Sequence, residues 1–154
     1  MELPLPKLTH SFTLEVELGP IKELGRGRSG KRRIIPIIGG RALGPDISGK
    51  VLNVGADWQT VFDDGGAHLD TRYAVETDDG AVIEIVNVGW RHGPTDVLAR
   101  LARGEDVDPT LYKMRTAAQL ETGDPQYAWV NYEVFVCVGR RRASAVEIAY
   151  YKVD

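Results

Sequence analysis

The sequence has 154 residues, which fits a single domain, residues 1–154, with a core of its own. Apolar residues make up 43% of the chain, and no apolar run approaches the length of a membrane span, so we expect a globular protein with no membrane partner. The net charge of −3 provides no general attraction to nucleic acid, which we therefore do not expect as a partner.

The cysteine and histidine residues indicate the cellular compartment and whether a metal site is expected. Cys137 is the single cysteine, which excludes an internal disulfide, and the first ten residues lack the basic segment and apolar run of a secretory signal. Both features favour a cytoplasmic protein. The three histidines are scattered without the spacing of metal ligands, so we expect neither a metal site nor another cofactor.

Alternation of apolar and polar residues predicts short β-strands along most of the chain. In residues 11–19, for example, Phe12 and Leu14 share one face, whereas the glutamates lie on the other. The predicted strands, in chain order, are residues 11–19, 32–38, 47–54, 68–76, 81–89, 111–120, 127–138 and 144–152. Eight short strands separated by turn residues indicate an antiparallel β-barrel or sandwich.

Two local signals between these strands are well defined. The segment from Thr77 to Gly80, Thr-Asp-Asp-Gly, predicts a tight hairpin turn, because Asp-Gly tolerates positive φ angles. Residues 96–103 have helical composition and place their apolar residues on one side. We expect Thr95 to cap the start of this helix and Gly104 to end it.

The segment from Gly25 to Arg33, Gly-Arg-Gly-Arg-Ser-Gly-Lys-Arg-Arg, resembles a phosphate-binding loop. Arg32, however, stands where that loop needs the hydroxyl of Ser or Thr, and a predicted strand follows where a helix is required. No aromatic residue lies among the arginines, as a nucleic-acid surface would need. We therefore predict a basic turn between two strands.

Two predicted strands, 81–89 and 127–138, carry apolar residues on both faces. A strand in the wall of a solvated barrel should have one polar face, so something must cover the outside of these strands. A second subunit would do so, which predicts a homodimer. Coverage by the helix and the loops is the alternative, and the pattern does not decide between them.

Asp70 and Arg72 lie on one face of the strand 68–76, and Leu69 and Tyr73 lie on the opposite face. If the apolar face points inward, the charged pair lies in water and contributes little. If the strand is inverted, the pair lines the barrel interior. Arg72 would then bind a carboxylate or an enolate oxygen, and Asp70 would act as a general base.

Six segments, in their order and spacing, resemble one protein family over nearly the whole chain. They are Gly55–Gln59, Leu69–Tyr73, Thr77–Gly80, Arg91–Pro94, Glu121–Pro125 and Tyr127–Asn131. The chain is similar to domain-of-unknown-function family 3237, also called uncharacterised protein family 0311. This resemblance implies an all-β, antiparallel, calycin-like (lipocalin-like) β-barrel of about eight or more strands with one short helix, often paired as a dimer. It implies no established reaction.

The resemblance also implies a set of site residues. Carried over by position, the polar residues of the family fall on Asp57, Trp58, Asp70, Arg72, Asn87, Arg91, Arg115, Glu121, Tyr127, Trp129 and Asn131. Of these, we expect Asp70, Arg72 and Arg91 to be catalytic and the others to bind the ligand. The chain departs from the family pattern at Asn53-Val54, where a Pro-Gly pair is usual, and near Lys113-Met114, where an aromatic residue is usual. These departures concern the rim of the pocket.

Three functions are consistent with these residues and stay open. The first is an enzyme without a cofactor that isomerises, cyclises or eliminates on a small oxygenated or carboxylate-bearing metabolite. In it, Asp70 is the base, arginines hold the anionic end, and Tyr127 and Asn131 orient the substrate. The second is a binding protein for a small apolar or aromatic acid. The third is a structural dimerisation module.

Overall fold

The computed structural model describes residues 1–154. Ten strands are present: β1 (Leu8–Leu18), β2 (Lys22–Gly27), β3 (Gly30–Leu43), β4 (Gly49–Val51), β5 (Gly55–Val61), β6 (Ala67–Thr77), β7 (Val82–His92), β8 (Lys113–Glu121), β9 (Phe135–Arg141) and β10 (Ala145–Val153). The α-helix α1 (Thr95–Ala102) joins β7 to β8, and a 3₁₀ helix (Pro125–Tyr132) joins β8 to β9. None of the helices has the length and apolar character that crossing a bilayer requires.

Eight of the strands close into an antiparallel barrel in the order β1-β10-β9-β8-β7-β6-β5-β3, and β3 pairs again with β1. The short strand β4 adds to the wall between β3 and β6, and β2 forms a hairpin with β3. This confirms the predicted all-β barrel of about eight strands with one short helix, and it decides against the sandwich. The calycin-like comparison stays a prediction.

The barrel interior is apolar because alternate residues of each strand point inward. In β1, Phe12 and Leu14 are completely buried, whereas Glu15 and Glu17 are exposed. Connections between successive strands alternate between the two ends of such a barrel, so α1 and the 3₁₀ helix lie at opposite ends. Val97 and Leu98 of α1 join the core at one end, and Val130 of the 3₁₀ helix joins it at the other.

Barrel closure depends on a bend in β3, which pairs with β5 in its first half and with β1 in its second half. The pairing register shifts between Glu17 and Leu18 of β1, opposite the bend. Gly40 lies just beyond the shift with a φ of 126°, and a Cβ there would overlap the backbone carbonyl of Glu15. Only glycine satisfies both the conformation and the close approach of the two strands.

The predicted turn and helix signals are confirmed in outline. Gly80 has a φ of 94° and donates its backbone N–H to the carbonyl of Thr77 at 2.9 Å, which closes the β6–β7 hairpin. Helix α1 ends at Gly104, with a φ of 82° and the paired backbone bonds of a Schellman motif. The prediction that Thr95 caps α1 is wrong, because Pro94 occupies that position and Thr95 is the first helical residue.

The predicted strand at residues 127–138 is wrong in its first half, which forms the 3₁₀ helix. Asp124 caps this helix by accepting the backbone N–H of Gln126 at 2.9 Å, and Pro125 supplies a suitable φ at its first position. Strand β9 begins only at Phe135. Strands β2 and β5 are absent from the predicted set. The basic segment contains the β2–β3 hairpin turn at residues 28–29, but its other residues belong to the two strands and not to a turn.

Replacement of Gly40 by alanine tests the bend in β3. We expect Gly40→Ala to lower the free energy of unfolding by roughly 2–4 kcal/mol, because the Cβ strains the backbone and meets Glu15. Urea unfolding measures the change. Gly123→Ala is the matched control, since a Cβ at position 123 meets nothing within 4 Å. Equal losses in both variants would contradict the proposed role of the bend.

Candidate functional site

A cavity of about 40 Å³ occupies the barrel interior at the end that α1 covers. It has room for on the order of three water molecules. Its walls are mainly apolar, with Ile35, Ile37, Leu69, Met114 and Ile148 among them. A small group of polar side chains, described next, lines the same space.

Arginines from three strands surround the mouth of this cavity. Arg91 of β7 and Arg141 of β9 line both the cavity and an adjoining cleft of about 360 Å³ beneath α1, and Arg33 of β3 lines the cleft. Arg91 is 7% exposed, and its Nε has no hydrogen-bond partner; one Nη of Arg141 also has none. Unpartnered guanidinium groups at a buried site are open donors for an anion.

The pKa values reflect this crowding of positive charge. Burial lowers the pKa of Arg91 to about 10, and repulsion from Arg141 and Arg33 adds to the effect. Burial and the charge of Arg33 also lower the pKa of Arg141. With a pKa of about 10, Arg91 remains charged at neutral pH, so the cavity mouth is a positively charged region within an apolar wall.

Asp57 of β5 is the single carboxylate among the residues that line the cavity. It is 8% exposed; one carboxylate oxygen accepts the backbone N–H of Asp70 at 2.9 Å, and the other accepts Nε2 of Gln59 at 2.9 Å. Oε1 of Gln59 in turn accepts Nε of Arg33 at 2.8 Å. A hydrogen-bonded relay therefore connects the interior carboxylate to the arginines at the mouth.

Burial raises the pKa of Asp57 above the 3.8 of an ordinary aspartate, although its hydrogen bonds and the charges of Arg91 and Arg33 oppose the shift. The regular pairing of β5 with β6 is interrupted opposite Trp58 and Gln59. The carboxylate takes the backbone N–H of Asp70 beside that gap. Asp57 is thus a buried carboxylate held next to this gap by the backbone of Asp70.

A second polar group lies deeper in the barrel. The hydroxyls of Tyr73 and Tyr150 are hydrogen-bonded to each other, and Nδ2 of Asn87 donates to the hydroxyl of Tyr150 at 3.2 Å. Oδ1 of Asn87 is buried without a partner. Burial raises the pKa of both tyrosines, and it raises that of the nearby Cys137 thiol to about 12, so this thiol is not a nucleophile at neutral pH.

Three of the predicted site residues, Asp57, Asn87 and Arg91, come together at this cavity. The interpretation that Asp70 and Arg72 line the barrel interior is wrong, because both are exposed on the outer face of β6. Apolar alternation decides the orientation of the strand: Leu69 and Tyr73 point inward, and burying them outweighs burying a charged pair.

The other predicted residues lie outside the cavity, at two places. Trp58, Arg115 and Glu121 are exposed on outer strand faces; Trp58 is 40% exposed because it alternates with the inward Asp57. Tyr127, Trp129 and Asn131 belong to the 3₁₀ helix at the opposite end of the barrel. None of the six lines the cavity.

The predicted residues of the 3₁₀ helix fasten this helix to the barrel. Tyr127 donates its hydroxyl to Asp79 at 2.9 Å. The side chain of Asn131 accepts the backbone N–H of Thr122 at 2.8 Å and donates to the carbonyl of Thr122 at 3.0 Å. Trp129 packs on Phe135. These contacts explain the positions of the three residues without a ligand.

Three members of the site are not among the predicted residues, each for a local reason. Arg33 belongs to the basic segment interpreted as a turn. Gln59 lies on β5, a strand that the alternation pattern does not predict. Arg141 follows the predicted strand that ends at residue 138, although it lies four residues after the buried Cys137 and therefore on the same inward face of β9.

Comparisons with known proteins place the fold in context. The chain is 42% identical over 150 residues to a UPF0311 protein from Rhodopseudomonas palustris, covering 97% of this chain and 98% of that protein. A crystal structure of a conserved protein of unknown function from that organism superposes with a TM-score of 0.92 at 41% identity, covering 99% of this chain and all of that chain.

Two further structures extend the comparison. A β-barrel-like protein from Acinetobacter baumannii matches with a TM-score of 0.88 at 43% identity over 99% of both chains. A protein from Penicillium herquei, described as an enzyme, shares the fold with a TM-score of 0.74 at 19% identity, covering 100% of this chain and 99% of that one.

The family described as "Protein of unknown function (DUF3237)" matches residues 6–153 of the chain. That match spans the barrel from its first strand to its last. Together with the relatives above, it shows that this chain belongs to the DUF3237 (UPF0311) family.

Proposed function

We propose that the barrel interior binds a small organic anion and that Asp57 exchanges a proton with it. The observation that carries this proposal is the buried guanidinium of Arg91, whose Nε has no hydrogen-bond partner. Two arginines, Arg91 and Arg141, and one carboxylate line the cavity, so the site has an excess of positive charge until an anion enters. A carboxylate, an enolate or a phenolate would supply the missing charge and acceptor atoms.

The arrangement suits chemistry in which a carbon acid or a hydroxyl loses a proton. Asp57 would accept that proton, and Arg91 with Arg141 would stabilise the negative oxygen that develops. A carboxylate next to arginines is ordinarily a weak base, but burial opposes that effect at Asp57. Isomerisation, cyclisation and elimination on a small oxygenated acid all begin with such a step and require no cofactor.

A binding protein that holds the same anion without reaction is the second candidate, since the cavity and its arginines serve either purpose. We favour the enzyme for two reasons. The raised pKa of Asp57 is a property that a passive anion carrier does not need. In addition, the Penicillium herquei protein of this fold is described as an enzyme, which is a precedent for catalysis on the barrel.

The proposed function predicts that the charge of Arg91 lowers the free energy of unfolding of the protein without its ligand. The pKa of Arg91 is depressed to about 10, so the folded chain holds this proton less tightly than the unfolded chain, and folding is penalised at every pH below about 10. We expect Arg91→Met to raise the free energy of unfolding at pH 7 by roughly 1–3 kcal/mol. Arg72→Met, at an exposed position, is the control and should change it by less than about 0.5 kcal/mol. A loss of stability in Arg91→Met would contradict the view that Asp57 compensates this buried charge only in part.

The second prediction separates the enzyme from the binding protein. Small aromatic and hydroxy acids are screened by thermal shift, and hydrogen–deuterium exchange at carbon is followed by NMR for those that bind. We expect Asp57→Asn to keep the thermal shift but to slow exchange by roughly 10²- to 10⁴-fold. Wild-type exchange should fall as the pH drops through the raised pKa of Asp57, above 3.8.

Asp70→Asn is the matched control for Asp57→Asn, because Asp70 is exposed on the outside of the barrel. It should leave both the thermal shift and the exchange rate unchanged. Unaltered exchange in Asp57→Asn would assign the base elsewhere. Binding with no exchange in the wild type would favour the binding protein.

The third prediction concerns the homodimer, which we retain as a proposal. An outer groove is lined by Val86, Val88, Ala117 and Val134, and α1 leaves it uncovered because it packs on the barrel end. Val88 is 36% exposed and Val134 is 59% exposed. We expect a dimer by sedimentation velocity and a monomer for Val88→Lys, with Leu43→Lys, an exposed leucine on β3, as the control. A monomeric wild-type protein at micromolar concentration would contradict the proposal.

A further inference from the structure

We infer, on the basis of the proposed function, that the ligand is a hydroxylated acid whose anionic group binds Arg91 and whose hydroxyl binds Oδ1 of Asn87. The acid and the hydroxyl are then the two ends of one molecule that lies along the barrel interior. This assigns a ligand class and a second binding contact to the site. It also assigns Asn87 the role of choosing between otherwise similar acids.

Asn87 has an acceptor that the protein leaves unused. The residue is 2% exposed and lines the cavity, and its Nδ2 is already engaged by Tyr150. Its Oδ1 is buried with no donor. A buried carbonyl oxygen without a donor is unfavourable in a folded protein, so a bound donor would be stabilising here.

The neighbouring hydroxyls do not supply that donor. Thr71 uses its proton on the backbone carbonyl of Asn87 at 2.6 Å. The hydroxyls of Tyr73 and Tyr150 bond to each other, and the Tyr150 oxygen also accepts Nδ2 of Asn87. The deep end of the cavity therefore has one unpartnered acceptor, Oδ1 of Asn87.

A ligand hydroxyl matches this need, because it donates a hydrogen bond. An ammonium group would also donate, but the arginines at the mouth would repel it. A second carboxylate could not donate to Oδ1 when ionised. The unpartnered acceptor therefore favours a hydroxyl or an enol.

The spacing within β7 sets the shape of the molecule. Asn87 and Arg91 are four residues apart on the same inward face, which places their Cα atoms about 13 Å apart. Gly89, between them on that face, has no side chain to separate them. Leu69, which pairs with Gly89, lines the cavity wall between the two polar ends, and Met114 lines it opposite Arg91. The ligand should thus have an apolar body between its acid and its hydroxyl.

The cavity of about 40 Å³ must enlarge to admit that body, and we propose that Met114 is the side chain that moves. Methionine is unbranched and changes rotamer readily. A Cβ at position 139 would lie 2.9 Å from the sulfur of Met114, so the methionine side chain occupies the space over this glycine.

Isothermal titration with three pairs of acids tests the inference. The pairs are benzoate with 4-hydroxybenzoate, phenylacetate with 4-hydroxyphenylacetate, and 3-phenylpropanoate with 3-(4-hydroxyphenyl)propanoate. In the pair of matching length, we expect the hydroxyl to lower Kd of the wild-type protein about 3- to 10-fold. Asn87→Leu should abolish that difference while leaving Kd of the parent acid within about twofold, and Asn53→Leu, at an exposed asparagine, should preserve it.

The outcomes separate this inference from the proposed function. Equal Kd values within all three pairs, or a preference that survives Asn87→Leu, would overturn the inference and leave anion binding intact. Failure of all six acids to bind, or an unchanged Kd in Arg91→Met, would overturn the proposed function itself. If Asn87→Leu does not fold, Asn87→Asp has nearly the same shape and keeps an acceptor. It should weaken both acids of a pair and retain the preference, and loss of the preference would count against the inference.

Discussion

The guanidinium of Arg91 lies inside the barrel, forms no ion pair and leaves its Nε without a partner. Charge is expensive to bury, and proteins ordinarily pair it or leave it in water. Here, Arg141 and Arg33 increase the local positive charge, and Asp57 is the one nearby carboxylate that lines the cavity. An arrangement that opposes folding in this way is most simply explained by a ligand that supplies the missing negative charge.

The alternation of residues along the barrel strands explains why the Arg91 side chain lies in the barrel interior. Strand β7 lies between β6 and β8, and the burial of Ile83 and Ile85 determines which alternate residues of the strand point inward. Asn87 and Arg91 are an even number of residues from these isoleucines and therefore point inward as well. The apolar residues that hold the strand in register thus also hold the arginine in the interior. Asp57 reaches the same space from β5, and its carboxylate accepts the backbone N–H of Asp70 next to the interruption in the β5–β6 pairing.

The fold was predictable where one face of a strand is clearly apolar or where a turn has a distinctive sequence, as in β1 and the turn ending at Gly80. It was not predictable at the 3₁₀ helix, because its aromatic residues have high strand propensity, whereas the cap at Asp124 and Pro125 determines the local structure. For the site, the family resemblance contributed Asp57, Asn87 and Arg91. It did not reveal Arg141, since an arginine close to a turn gives no sign that its strand continues.

The central claim is that the arginines of the barrel interior hold an organic anion. A crystal structure of the protein with 4-bromobenzoate, with anomalous data collected at the bromine edge, tests it most directly. We predict the carboxylate against Arg91 and Arg141, with the bromine peak further inside the barrel. Bromine peaks confined to the outer surface, together with an interior closed by protein side chains, would contradict the claim.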